Sequence, residues 1–256
     1  MRTFEAFVVK FKCLTTKVTT DSTKETQRIS LTTLNFKSLK VENNQILDTL
    51  IHRYPELDSL KAEINRASDA LIACYEKGNK ILVCGNGGSC SDSDHIVGEL
   101  MKGFENMRPV GKSMKNKLEE IAGDRGMYLA GKLQQALPAI SLTAHSALIT
   151  AIANDTDASL IFAQQVVGYG NAGDVIIGIS SSGNSQNVID ALITAKAKKV
   201  TVIGLTGETG GKMKAFCDIL INVPEKRTAF VQELHLPVYH TICLMVENHF
   251  FGNQTF

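Results

Sequence analysis

From position 55 onward the chain alternates two hydrophobic rhythms. Leu57, Leu60, Ile64, Ala67, Leu71 and Tyr75 recur at helical spacing and predict a helix over 55–77. Pro55 suits its first turn and Gly78 its C-terminal cap. Five short apolar runs follow, at 81–84, 139–143, 175–179, 200–205 and 219–223, each fitting a buried strand. Helix-length segments separate them, so the chain is expected to form right-handed crossovers and a parallel sheet with helices on both faces. In such an α/β fold, ligands bind beyond the carboxyl ends of the strands.

Two stretches break the alternation. Residues 1–36 are rich in Thr and Lys and lack a sustained period, which predicts a flexible N-terminal extension ahead of a folded domain over 37–256. Glu5, Asp21 and Glu25 argue against a transit peptide there. Residues 105–137 carry Arg108, Lys112, Lys115, Lys117, Arg125 and Lys132, with an amphipathic pattern over 117–137 that predicts an inserted helical excursion.

The 256 residues carry a formal net charge of +1. No global field therefore favours nucleic acid or an anionic membrane, and any anion must be held by a local device. No helix-turn-helix pattern is evident. The six cysteines lack the short paired spacing of a zinc knot or redox motif and are expected to be reduced thiols. With no apolar run long enough for a membrane span or signal peptide, the expected location is the cytoplasm.

The local devices lie at the strand ends. Gly85, Asn86, Gly87, Gly88, Ser89 and Cys90 follow the first strand, and Ser180, Ser181, Ser182, Gly183, Asn184 and Ser185 follow the third. Glycines let the backbone approach an anion, hydroxyls add donors, and the next helix offers its positive dipole end. A third loop at 206–211 repeats the arrangement after the fourth strand. An ATP-type P-loop and the dinucleotide fingerprint are both missing. His95 and Glu99, four residues apart, share a face of the helix expected to begin near Ser89. Gln232, Glu233, His235 and His240 interrupt an apolar final helix and need an explanation there. His52, His145 and His249 have no such company and are assigned structural or surface roles.

Taken together, the segments 84–89, 153–155, 178–185 and 205–207, with Asp92, His95, Glu99, Gln232, Glu233, His235 and His240, resemble the SIS domain of phosphosugar isomerases, and within it the phosphoheptose isomerases. The resemblance covers roughly 46–250 and implies a three-layer αβα, flavodoxin-like domain with a five-stranded parallel sheet. It further implies a homotetramer with active sites between subunits. By position, Ser180, Ser181, Ser182 and Ser185 resemble the phosphate loop. Asn86, Gly87, Gly88 and Ser89 resemble the substrate-backbone loop, and Asn154 and Asp155 the sugar-contacting residues. His95, Glu99, Gln232 and His240 match zinc-binding positions, Gln232 also counts as substrate-binding, and Glu99 with His240 matches the proton-transfer pair. Pro237 is expected to bend the last helix so that Gln232 and His240 share a metal.

The implied reaction is interconversion of a ketose and an aldose phosphate, most specifically sedoheptulose 7-phosphate, through an enediolate. The alternative is a non-catalytic SIS protein that binds sugar phosphates or associates with a replication initiator, and a lyase or etherase on the same fold is a third reading. Joint retention of His95, Glu99, Gln232 and His240 favours the enzyme. Two departures bear on the sugar: Gly103 stands where heptose isomerases carry an arginine, and 105–137 is longer than in that family.

Overall fold

The computed structural model describes residues 43–252, and the expected extension over 1–36 lies outside them. Five strands, β1 (Ile81–Gly85), β2 (Ala139–Ser141), β3 (Val175–Ser180), β4 (Thr201–Thr206) and β5 (Ile219–Asn222), form one parallel sheet in the order β2-β1-β3-β4-β5. The register places Ile81 beside Ala139 and Val175, and Gly178 beside Gly204. Strands buried on both faces need no polar alternation, which is why they appear in the sequence as plain apolar runs.

Side chains alternate between the two faces. Ile81, Val83, Ile177 and Ile179 enter one core with α1 (Asn43–Arg53), α2 (Lys61–Glu76), α3 (Gly88–Met101) and α8 (Thr228–Phe251). Leu82, Cys84, Ile176 and Val202 enter the other with α6 (Ala163–Tyr169) and α7 (Gln186–Ala197). The result is the three-layer αβα arrangement. A Cβ at Gly178 would stand 2.8 Å from Leu192 Cδ2, so this glycine sets how closely α7 approaches β3.

Local differences from the sequence reading have physical causes. The helix expected over 55–77 opens as a 3-10 helix, Pro55–Leu60, before α2 begins. Three residues per turn put Leu57 and Leu60 on one line, and both are buried. Gly78 has φ +73°, the left-handed conformation expected of a helix stop. The final helix continues through Pro237 from Thr228 to Phe251.

The 105–137 segment contains α4 (Lys112–Lys132), whose helical geometry fails at Ala122 and Gly123 (φ +49°). Gly126 packs against the backbone of Leu118, so the two halves fold onto each other. The amphipathic pattern does not bury an apolar stripe: within α4 only Gly126 and Ala130 are buried, while Met114, Ile121 and Met127 are exposed. At its base Pro109 bridges Gln134, and Gln135 N–H donates to Arg108 O at 2.6 Å, pinching the excursion off from the sheet. α5 (Ser146–Asp155) is capped at its start by His145, whose Nδ1 accepts from Leu148 N–H.

Candidate active site

The strand-end loops form a cradle. Gly87 adopts φ +57° and ψ −120°, a conformation reserved for glycine, and turns the chain from β1 into α3. Gly88 opens α3 directly against the end of the Gln232 side chain, where a Cβ would lie 2.5 Å from Gln232 Nε2. In the serine loop, Ser180 Oγ and Ser185 Oγ are 3.0 Å apart, and Asn184 N–H donates to Ser182 Oγ at 3.2 Å. Ser185 stands at the N-terminus of α7 and makes no side-chain cap; Val188 N–H there donates to Asn187 Oδ1 at 2.9 Å, which leaves the amides of Gln186 and Asn187 to an incoming anion.

Asn187, which the sequence reading missed, joins the two loops. Its amide exchanges paired hydrogen bonds with that of Asn86, each 2.9 Å. The signal available was an amide at the start of α7, two residues beyond the serine loop, but amides there also serve as ordinary turn formers.

The third loop is not a further anion cradle. Gly207 N–H donates to Ser181 O at 3.0 Å, and Gly211 (φ +52°) lies so close to Gly183 that a Cβ would meet its carbonyl carbon at 2.5 Å. It buttresses the serine loop from behind and leads into a five-residue 3-10 helix, Lys212–Phe216.

A second cluster forms where α3 runs beside α8. His95 Nε2 is 3.1 Å from Glu99 Oε1, and the His95 and His240 rings stand 4.9 Å apart, nearly perpendicular. Phe104 covers the other side of the His240 ring at 5.3 Å between centroids. Glu99 Oε2 and His240 Nε2 are buried without a hydrogen bond, although Lys102 Nζ lies 3.6 Å from that Glu99 oxygen. Burial, and secondly the neighbouring His95, pushes the His240 pKa below its ordinary value against the opposing pull of Glu99. Burial likewise raises Asp92, partly offset by Tyr239 and His95.

The structure therefore divides the candidate residues. His95, Glu99 and His240 come together, but in the second half of α3 rather than near its start. From Gly88 to Glu99 is eleven residues, or about 16 Å of helix at 1.5 Å each. Gln232 belongs to the cradle end, against Gly88, and α8 does not bend it round to His240. Asn154 and Asp155 end α5, exposed and bonded to each other at 2.8 Å rather than to the cradle. Among the described residues no three His, Cys, Asp or Glu side chains are gathered as a ready-made metal site. His235 is completely buried.

A doubly wound sheet with a glycine and serine cradle at its carboxyl edge defines a SIS domain, and a family model for that domain matches residues 47–120 and 111–207. Phosphoheptose isomerase from Burkholderia pseudomallei (strain 1710b) is 39% identical over 197 residues, spanning 77% of this chain and 87% of the relative. That from Aneurinibacillus thermoaerophilus is 39% identical over 191 residues, 75% of this chain and 83% of the relative. The solved phosphoheptose isomerase of Neisseria gonorrhoeae superposes with TM-score 0.59 at 34% identity, covering 78% of this chain and 94% of that one. The Francisella tularensis structure gives 0.61 at 31%, with 80% and 95% covered. The chain belongs to the SIS-domain family, in its phosphoheptose isomerase branch.

Proposed function

We propose that this protein isomerises sedoheptulose 7-phosphate to D-glycero-D-manno-heptose 7-phosphate. The observation that carries the reading is the pairing, in one cluster, of a Glu99 oxygen and a His240 ring nitrogen that are buried and make no hydrogen bond. Buried polar atoms without partners are costly, and a substrate that supplies partners repays the desolvation.

In this assignment the cradle of Asn86 to Ser89 and Ser180 to Ser185 holds the phosphate and sugar backbone, remote from the reacting carbons. Glu99 takes a proton from C1 of the ketose and returns it to C2 of the enediolate. His240, neutral because of its burial, shuttles a proton between the C1 and C2 oxygens as the double bond moves. Asn154 and Asp155 are assigned sugar contacts by similarity alone.

The donor set also fits zinc in kind: two imidazoles and a carboxylate, with Gln232 as a further oxygen donor. His95, Glu99 and His240 would hold it. Zinc bound there would polarise the substrate carbonyl. The packing of Gln232 against Gly88, at the cradle end of α3, supports sites completed between subunits of a homotetramer, in which Gln232 of one copy serves the cluster of another. The free thiols of Cys74, Cys84, Cys90, Cys217 and Cys243 suit the cytoplasm. Among the described residues no helix is long and apolar enough to cross a membrane.

The test is turnover of sedoheptulose 7-phosphate by the purified protein, with and without zinc, beside Glu99→Gln. Turnover lost in that variant supports the assignment. Tight binding of ketose phosphates without turnover would instead make the protein a sugar-phosphate binding module.

A further inference from the structure

Arg108 and Glu247 form the one ion pair among the described residues whose side chains are both wholly buried, each 0% exposed, at 2.8 Å. They are 139 residues apart in sequence and meet where α3 ends against α8. Arg108 Nε donates to Glu247 Oε1 at 2.9 Å, while its terminal nitrogens donate to Leu100 O at 2.8 Å and Glu99 O at 3.2 Å. The guanidinium thus caps the last-turn carbonyls of α3, including that of Glu99 itself. Glu247 in turn accepts from the backbone N–H groups of Phe104, Glu105 and Asn106 at 2.7, 2.8 and 3.1 Å. Phe104 is the residue lying against the His240 ring.

A buried ion pair adds little net stability over an apolar pair of equal size, because desolvation offsets the attraction. What it adds here is direction: one fork fixes the helix end that carries Glu99, and one carboxylate fixes the residue that packs on His240. Glu247 also lies seven residues, about two turns, beyond His240 on the same helix. We infer that Arg108 and Glu247 are positioning residues that set the placement of Glu99 relative to His240 for proton transfer. This rests on the assignment of those two as the proton-transfer pair.

Glu247→Gln keeps an oxygen for the backbone donors but loses the charge, and Arg108→Lys keeps the charge but loses the fork. In the full chain each is expected to lower kcat about ten- to hundredfold, the effect of a small misplacement of reacting groups. KM for sedoheptulose 7-phosphate should stay within about twofold, because the cradle lies at the other end of α3. Should a single variant fail to fold, the apolar double variant Arg108→Met with Glu247→Leu removes the unpaired charge, and it is expected to fold yet retain the kcat loss. Wild-type kcat in any folded variant, with only the melting temperature lowered, overturns the inference. A wild-type enzyme that is active and disabled by Glu99→Gln, beside a fully active Glu247→Gln, would sink this inference alone; an inactive wild type would sink the functional assignment and the inference with it.

Discussion

The hydroxyl of Tyr239 lies 3.0 Å from Nδ1 of His95. It donates to Asp92 Oδ1 at 3.3 Å, so towards the ring its oxygen is left to accept from His95 Nδ1–H. The chain from Asp92 through Tyr239 thus fixes the tautomer and orientation of the imidazole whose Nε2 lies 3.1 Å from Glu99 Oε1.

Tyr239→Phe removes this tautomer control while keeping the ring that packs against His240. Turnover is expected to fall roughly three- to tenfold, the loss of one oriented hydrogen bond, with KM unchanged. Steady-state kinetics checks it, and an unchanged kcat would show that His95 is oriented by other contacts.

Ser185→Ala should act on the other parameter. It removes one hydroxyl of the Ser180 and Ser185 pair from the cradle and touches nothing in the His95 cluster. Loss of a hydrogen bond to a charged group, about 1.5–3 kcal/mol, corresponds to KM rising on the order of ten- to hundredfold. The hydroxyl does not cap α7, but it is the partner of the buried Ser180 Oγ, so the melting temperature should fall modestly, by the roughly 1 kcal/mol of one hydrogen bond.

Gly88→Ala tests the contact between cradle and last helix. The added methyl would meet the far end of the Gln232 side chain, which can swing away, so folding should survive. Displacing Gln232 should weaken substrate binding by about 1 kcal/mol, a roughly fivefold rise in KM. A variant with normal KM would remove Gln232 from the binding surface in this chain.

The sheet and both cradle loops were legible in the sequence because their signals are local: apolar runs for strands buried on both faces, glycine and serine at the strand ends. Features that depend on distant partners were not. The loop at 206–211 has a cradle composition, but Gly211 is needed for its approach to Gly183, which no local pattern reveals. Glu247 sits in the apolar end of α8, and nothing near it in sequence announces Arg108. Tyr239 belongs to a mostly buried helix face, so its hydroxyl gave no signal of a role beside His95. The spacing of His95 and Glu99 was read correctly as one face, while the distance from the loop to that face depended on α3 running a full 14 residues.

His235 should make the fold acid-sensitive. Burial lowers its pKa from 6.5 to about 4, with only partial compensation from the backbone of Thr206, and neither ring nitrogen makes a well-formed hydrogen bond. In the unfolded chain the same group takes its proton near 6.5. Between those values the unfolded state therefore binds more protons, so stability is fully present above pH 6.5 and falls as pH drops towards 4. At 1.36 kcal/mol per pH unit the loss is about 3 kcal/mol. Glu247 adds to it at the acid end. Burial alone would raise its carboxyl, but the N–H groups of Glu105 and Phe104, with Arg108, more than offset this and hold it below 4.5. Its contribution is present above 4.5 and lost as pH falls through the lower folded value. Urea unfolding of wild type and His235→Leu between pH 6.5 and 4.5 separates the two groups. The variant should show a nearly flat stability over that interval and rejoin the wild-type decline only below it, whereas equal slopes would assign the acid sensitivity elsewhere.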